Sequence, residues 1–206
     1  MRLTLLLALL LSACGSDGAR EAMTLGDEAM EQLRFGEASA HYSEAIAQDA
    51  SLADAYVKRG QIRYMERRFE DAVDDLSQAL ALDPEIGWAW FLRGSSLFSL
   101  EQYDRAVDDL ARAAAAEELA TEDRGRSHRL RAVAFMNTDR YAEAIDALTE
   151  AIALRPEIAL QFFERGMLHA ELGQTEAAAE DLETFLEMDT SESELTAQAR
   201  RTLEGL

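Results

Sequence analysis

The sequence predicts an all-α protein, a solenoid of stacked helix pairs, and three observations carry that prediction. Glycine recurs at Gly26, Gly60 and Gly94, in steps of 34 residues. Small residues at Ala38, Ala72 and Ala106 keep the same step, Ala144 follows after 38, and Ala178 resumes at 34. Each period holds two stretches with apolar residues spaced i, i+3, i+4, i+7, as at Phe69, Val73, Leu76 and Leu80, which is one helix face. Such a unit cannot bury its apolar face alone, so neighbours must stack, and the small residues let paired helices approach closely.

The N-terminus stands apart from this pattern. Arg2 is followed by the apolar run Leu3 to Leu11, too short to span a bilayer but suited to the core of a signal peptide. The run ends in LSAC, with Cys14 the only cysteine. That ending resembles the lipobox of bacterial lipoproteins. The resemblance implies that residues 1–13 are removed, that Cys14 carries diacylglycerol and an acylated amino terminus, and that 14–18 form a lipidated tether. Two or three acyl chains anchor stably where one is marginal. An ordinary secretory signal with an incidental cysteine is the alternative. Gly15 and Ser16, with no aspartate after the cysteine, match enterobacterial lipoproteins exported to the outer membrane, so the expected location is that membrane, facing the periplasm.

The repeat then occupies 19–192 in five units: 19–52, 53–86, 87–120, 121–158 and 159–192. Phe35, Phe69, Tyr103, Tyr141 and Thr175 precede the small residues by three. Tyr42, Leu76, Leu110, Leu148 and Leu182 follow them by four, and Pro84 and Pro156 close two units. The stretch AYVKRGQIRYMERRFEDAVDDLSQALALDP, residues 55–84, shows the pattern most fully. This resembles the tetratricopeptide repeat, with its aromatic, glycine, alanine and closing proline over 34 residues. The resemblance implies a right-handed α-solenoid of five helix-turn-helix units. Four extra residues separate the third and fourth units, where Thr121 reads as an N-cap before the acidic Glu122 and Asp123. The fourth unit also has Ala132 in place of glycine. A C-terminal capping helix is expected over 193–206, with Ser191 and Glu194 spaced as a capping box and Leu195, Ala199 and Leu203 facing inward.

Composition and polar spacing argue against several functions. The formal charge is −20, with Lys58 the only lysine, which disfavours nucleic acid as a partner. Arginine recurs at Arg59, Arg93, Arg131 and Arg165, and aspartate at Asp75, Asp109 and Asp181. Catalytic groups converge once per site, whereas these recur once per repeat, so they read as pairs fixing helix packing. His41, His128 and His169 fall in different units without metal-ligand spacing. No glycine-rich phosphate loop or GxSxG elbow is present. The expectation is a non-catalytic protein with no cofactor and no metal.

Function is therefore sought on a surface. In the family the first helix of each pair lines the concave groove. Carried over position by position, the resemblance puts Met23, Asp27 and Met30 there from unit one, and Val57, Gln61, Tyr64 and Met65 from unit two. Unit three gives Trp88, Phe91, Ser95 and Phe98. Unit four gives Arg126, Arg129, Val133 and Met136, and unit five gives Leu160, Phe163 and Met167. Trp90, four before its glycine, is expected in the core, so that Trp90→Ala is costly and loss of Trp88 with Phe91 is not. Such a groove, rich in aromatics and methionine, suits an amphipathic helix or extended apolar segment whose acids face Arg126 and Arg129. The lysine and asparagine set that clamps chaperone C-termini in other members is absent. The expected function is a membrane-anchored adaptor for a protein or peptide in envelope assembly (pilus or secretin, outer-membrane protein assembly, or a peptidoglycan enzyme). Self-association through the groove is the alternative, and a further one packs these side chains between first helices or beneath the terminal helix.

Overall fold

A computed structural model describes the backbone of residues 2–206 and the side chains from Asp17 onward. The signal segment and Cys14 lie outside the residues whose side chains are described. The described chain is helical, without strands: α1 (Arg2–Glu31), α2 (Phe35–Gln48), α3 (Ala53–Met65), α4 (Phe69–Leu82), α5 (Gly87–Ser99), α6 (Tyr103–Ala115), α7 (Thr121–Met136), α8 (Tyr141–Leu154), α9 (Ala159–Glu171), α10 (Thr175–Met188) and α11 (Glu194–Gly205). It forms two compact units, Met1–Leu100 and Glu101–Leu206, the division falling inside the third repeat. Within each, helices adjacent in sequence pack side by side, the arrangement of an α-solenoid.

Each pair closes through the same turn. Leu33, Arg67, Glu101, Asp139 and Gly173 all adopt positive φ, between 56° and 69°. Beyond this left-handed residue, an amide reaches back five residues to the helix just ended: Arg34 N–H to Ala29 O, Arg68 to Arg63, Arg140 to Phe135 and Gln174 to His169, at 2.8–2.9 Å. These bonds satisfy carbonyls that a helix end otherwise leaves orphaned. Only the fifth turn uses glycine, so the other four hold a side chain in a conformation that costs about 1–2 kcal/mol.

The glycines of the first helices mark close approach. A Cβ on Gly60 would stand 2.9 Å from Leu76 Cγ, and one on Gly166 would stand 2.9 Å from Leu182 Cγ. Ala132 takes this place in α7 and is fully buried, as is Leu148. In the first unit Ala29, Ala38 and Tyr42 pack with Ile62 of α3. In the second, Phe163, Leu182 and Phe185 pack with Ala199 of α11.

The first helices α3, α5, α7 and α9 begin where the expected units begin, at 53, 87, 121 and 159. The extra residues before the fourth unit lengthen α7 to 16 residues against 13 in α3, α5 and α9. Two expectations about helix ends need correction. Ala120, not Thr121, occupies the N-cap of α7, and Thr121 is already helical. Ser193, not Ser191, caps α11, in a box closed by Thr196. The cap sets the helix phase, so Thr196 and Ala199 are buried while Leu195 turns outward, 37% exposed.

Candidate functional site

Two of the recurring arginines, Arg59 and Arg165, form the packing pairs with aspartate expected of them. Arg59 Nε and Nη2 donate to the two carboxylate oxygens of Asp75 at 2.8 and 2.6 Å, and Nη1 donates to Ser43 Oγ at 3.0 Å. Arg165 repeats this with Asp181 at 2.8 and 2.7 Å and with Thr149 Oγ1 at 3.0 Å. One guanidinium thus bolts its own second helix to the second helix of the preceding pair. The paired aspartate raises both guanidinium pKa values, against the opposing effect of burial. Each arginine also lies near the ring three residues before it: Arg59 over Tyr56 at 5.8 Å, Arg93 over Trp90 at 4.7 Å, and Arg165 over Phe162 at 6.0 Å.

The contact of Arg93 with Trp90 corrects the reading of the two tryptophans. Trp90 is not core: it is half-buried, under Arg93, with its indole N–H donating to Pro84 O at 2.7 Å. The guanidinium on one face and the preceding loop hold the ring at the edge of the pair. Phe91 is the core residue of this stretch, 2% exposed. Trp88 stacks on it, centroids 5.1 Å apart and planes 21° from parallel, and stays half-buried. Its indole N–H donates to Gln61 Oε1 of α3 at 3.4 Å.

The first-helix face of the first unit is laced together by polar contacts between neighbours. Lys58 Nζ donates to both carboxylate oxygens of Asp27 at 2.8 and 2.9 Å and pairs with Asp54 at 3.1 Å. Burial pulls the ammonium pKa down, but these two carboxylates outweigh it and leave it raised. The buried Tyr42 hydroxyl also donates to Asp27 Oδ1 at 2.8 Å. Desolvation, followed by that carboxylate, pushes its pKa well above the ordinary tyrosine value. Of the remaining expected groove residues, Val57 is buried, Tyr64 leans on Phe69 with centroids 5.8 Å apart, and Met30 packs against the Tyr42 cluster. Met65 is exposed and Phe98 half-buried.

In the second unit the corresponding face carries arginine. Arg129 Nε and Nη2 donate to Glu164 of α9 at 3.0 and 2.6 Å. Arg126 reaches Asp123 at 3.3 Å, and Arg155 reaches Glu157 at 2.9 Å and Glu122 at 3.4 Å. These three arginines, with Ile158, Leu160 and Gln161, line a cavity of about 240 Å³. Gln161 is buried and its Oε1 has no hydrogen-bond partner, a feature its place in the repeat gave no sign of. Further along α9 the face is covered. Phe163 is buried against Phe185, centroids 5.1 Å apart, and Met167 Sδ accepts from Thr202 of α11 at 3.6 Å. Met136 is half-buried.

The expected groove residues therefore divide. Val57, Phe91 and Phe163 belong to the core, and Met167 lies under α11, because α10 and α11 take up part of the face of α9, as Phe163 against Phe185 and Ala199 shows. Trp88, Met65, Arg126 and Arg129 retain accessible surface. Among the described residues no group of histidine, cysteine, aspartate and glutamate could hold a metal ion, and no helix is long and apolar enough to cross a membrane.

Two family profiles, both described as tetratricopeptide repeat, match nearly all of this. One matches residues 23–86, 65–118 and 91–159, and the other residues 130–204. Among solved structures, "YrrB: a TPR protein with an unusual peptide-binding site" is 23% identical, with a TM-score of 0.76 over 87% of this chain and 90% of that one. The MamA protein is 20% identical, TM-score 0.75, over 84% and 92%. PilF of Pseudomonas aeruginosa is 17% identical, TM-score 0.67, over 93% and 89%. No curated protein matches the chain.

Proposed function

The chain belongs to the tetratricopeptide repeat family, and we propose on that premise that it is a non-catalytic scaffold holding a polypeptide segment against its first-helix faces. Trp88 carries this reading. A large amphipathic ring sits half-buried on a rigid base, stacked on the buried Phe91, in a chain whose recurrent charges are spent on packing. Rings held in this way dominate binding energies at protein interfaces because little side-chain freedom is lost on contact. The cavity beside Arg126, Arg129 and the buried Gln161 supplies a second contact region, suited to an acidic side chain and a backbone N–H donor. The peptide-binding site named for YrrB is in keeping with this use of the fold.

The scaffold works at a membrane. Cys14 carries the lipid, residues 14–18, which are helical as part of α1 and not the extended tether expected of them, span only about 8 Å, and the repeats stay beside the outer membrane on its periplasmic side, in assembly of an envelope complex. Palmitate labelling of the wild type and Cys14→Ala tests the anchor: label in the first only is expected, and absence from both removes it. Crosslinking in membranes tests the scaffold. Trp88→Ala is expected to lower the yield of partner adducts at least tenfold with little change in melting temperature. An unchanged adduct pattern refutes the role of Trp88. Light scattering that shows concentration-dependent assembly, abolished by Trp88→Ala, makes a second copy the partner.

A further inference from the structure

Arg131 occupies the repeat position of Arg59 and Arg165, yet both of its partners are missing. In the sister repeats the Nε–H and Nη2–H fork holds an aspartate 16 residues ahead, and Nη1–H holds a hydroxyl 16 residues behind. Counted from Arg131, those positions are Ala147 and Ala115. The guanidinium stays in place nonetheless. Its Nε is buried without a hydrogen-bond partner, and Nη1 keeps only a long contact of 3.4 Å to His128 Nδ1. Burial holds the Arg131 pKa below its usual range, partly offset by Glu150. A guanidinium whose Nε is buried and unpartnered is costly, beyond what the Phe135 ring at 5.9 Å and the nearby Glu150 offset, and a carboxylate in bidentate geometry is the group that best relieves it.

Where the aspartate side chain would be, there is space. Arg131, Phe135, Asp146, Ala147, Thr149 and Glu150 line a cavity of about 400 Å³ between α7 and α8. Glu143, which also borders it, is paired with Arg140 at 2.7 Å. Asp146 and Glu150 line the same cavity as the guanidinium and make it acidic there, Glu150 close enough to act on Arg131. An anion alone is repelled by these carboxylates. A compact ligand with a carboxylate for Arg131 and a neighbouring ammonium for Asp146 and Glu150 satisfies both.

We propose that this cavity binds a small zwitterionic amino carboxylate, an α-amino acid in chemical class, whose carboxylate replaces the aspartate that the sister repeats carry covalently. The site is independent of the first-helix faces and of the scaffold reading. Thermal shift and calorimetry on the full chain test it, with the twenty α-amino acids, acetate and methylammonium as probes at equal ionic strength. At least one amino acid is expected to raise the melting temperature of the wild type by a few degrees and to exceed both acetate and methylammonium. Ala147→Asp rebuilds the internal pair and is expected to raise the melting temperature without ligand and to weaken binding at least tenfold. Arg131→Met is expected to weaken binding equally while the chain still folds, since the residue makes no strong bond that folding depends on. The proposal is overturned if no probe shifts the wild type more than the two variants. It is overturned equally if acetate alone matches every amino acid, because the two carboxylates then play no part.

Discussion

On the first-helix faces, residues 17–100 and residues 101–206 use one scaffold with opposite chemistry. In the first, a lone lysine and a tryptophan indole bridge neighbouring helices, Lys58 to Asp27 and Trp88 to Gln61. In the second, arginine makes the corresponding bridge, Arg129 to Glu164, and α11 covers part of the apolar surface. Both regions nevertheless keep the same bolt between second helices, Arg59 with Asp75 and Arg165 with Asp181, at nearly identical distances. The part of the sequence that builds the stack is thus separate from the part that decides what the stack touches. One can change while the other holds.

The largest test of this contrast lies within α5. Phe91→Ala is expected to destabilise by about 3–5 kcal/mol as a buried aromatic truncation, whereas Trp88→Ala and Trp90→Ala each cost under about 2 kcal/mol because both rings keep part of their surface in water. Denaturant unfolding measures all three, and a Trp90 cost above that of Phe91 reverses the placement of these rings.

Removing the bolts comes next. Asp75 accepts from Arg63 at 2.8 Å as well as from Arg59, so Asp75→Ala strands two guanidinium groups. A loss of about 2–4 kcal/mol is expected there, and about 2–3 kcal/mol for Asp181→Ala, since each cation keeps some access to water. Arg131→Met, at the position without a bolt, is expected to stay within about 1 kcal/mol of wild type or to stabilise. A loss for Arg131→Met as large as that for Arg59→Met shows that the guanidinium has a partner after all.

Protons separate the two regions by pH. Tyr42, in the first, is raised above its ordinary 10.0, so its contribution is complete below pH 10 and is lost as pH rises beyond it. His128, in the second, is lowered below its ordinary 6.5, first by burial and then by Arg131. Its contribution is complete above pH 6.5 and is lost as pH falls through the folded-state value. Tyr42→Phe is expected to flatten the alkaline limb of the stability profile and His128→Gln the acid limb. Either variant acting on the other limb breaks the assignment.

The smallest effects belong to the turns. Leu33→Gly and Asp139→Gly, one in each region, are expected to stabilise by up to about 1 kcal/mol, the relief of left-handed strain being offset by the entropy of glycine. Melting temperatures rising by unequal amounts reveal which turn carries more strain.

The repeat boundaries were legible because packing enforces them: glycine and alanine at fixed steps leave no other phase, and α3, α5, α7 and α9 start at the expected residues. Ends set by competing local bonds were not. Ser191 and Ser193 can both cap α11, and the second is the one that forms a box with Thr196 and lets Ala199 pack on Phe163, Leu182 and Phe185. Trp90 and Phe91 exchanged roles because Trp90 was assigned from the residue four before glycine. Three residues on, an arginine draws the ring at that position toward the edge of the pair. The unpaired Arg131 had a signal in plain view, the alanines at 115 and 147 where hydroxyl and carboxylate were due. The buried Gln161 had none.

The bolts and turns also bear on how the chain reaches this structure. The longest side-chain hydrogen bonds described join residues only 35 apart, and most tertiary ones span 16 or fewer. Chains with such local topology close small loops and search little, and they fold in microseconds to milliseconds. Each hairpin, once its left-handed turn forms, offers a complete template to the next, so assembly can begin at any repeat and spread in either direction. A defect such as the empty bolt at Arg131 then delays one step of that spread and leaves the others untouched.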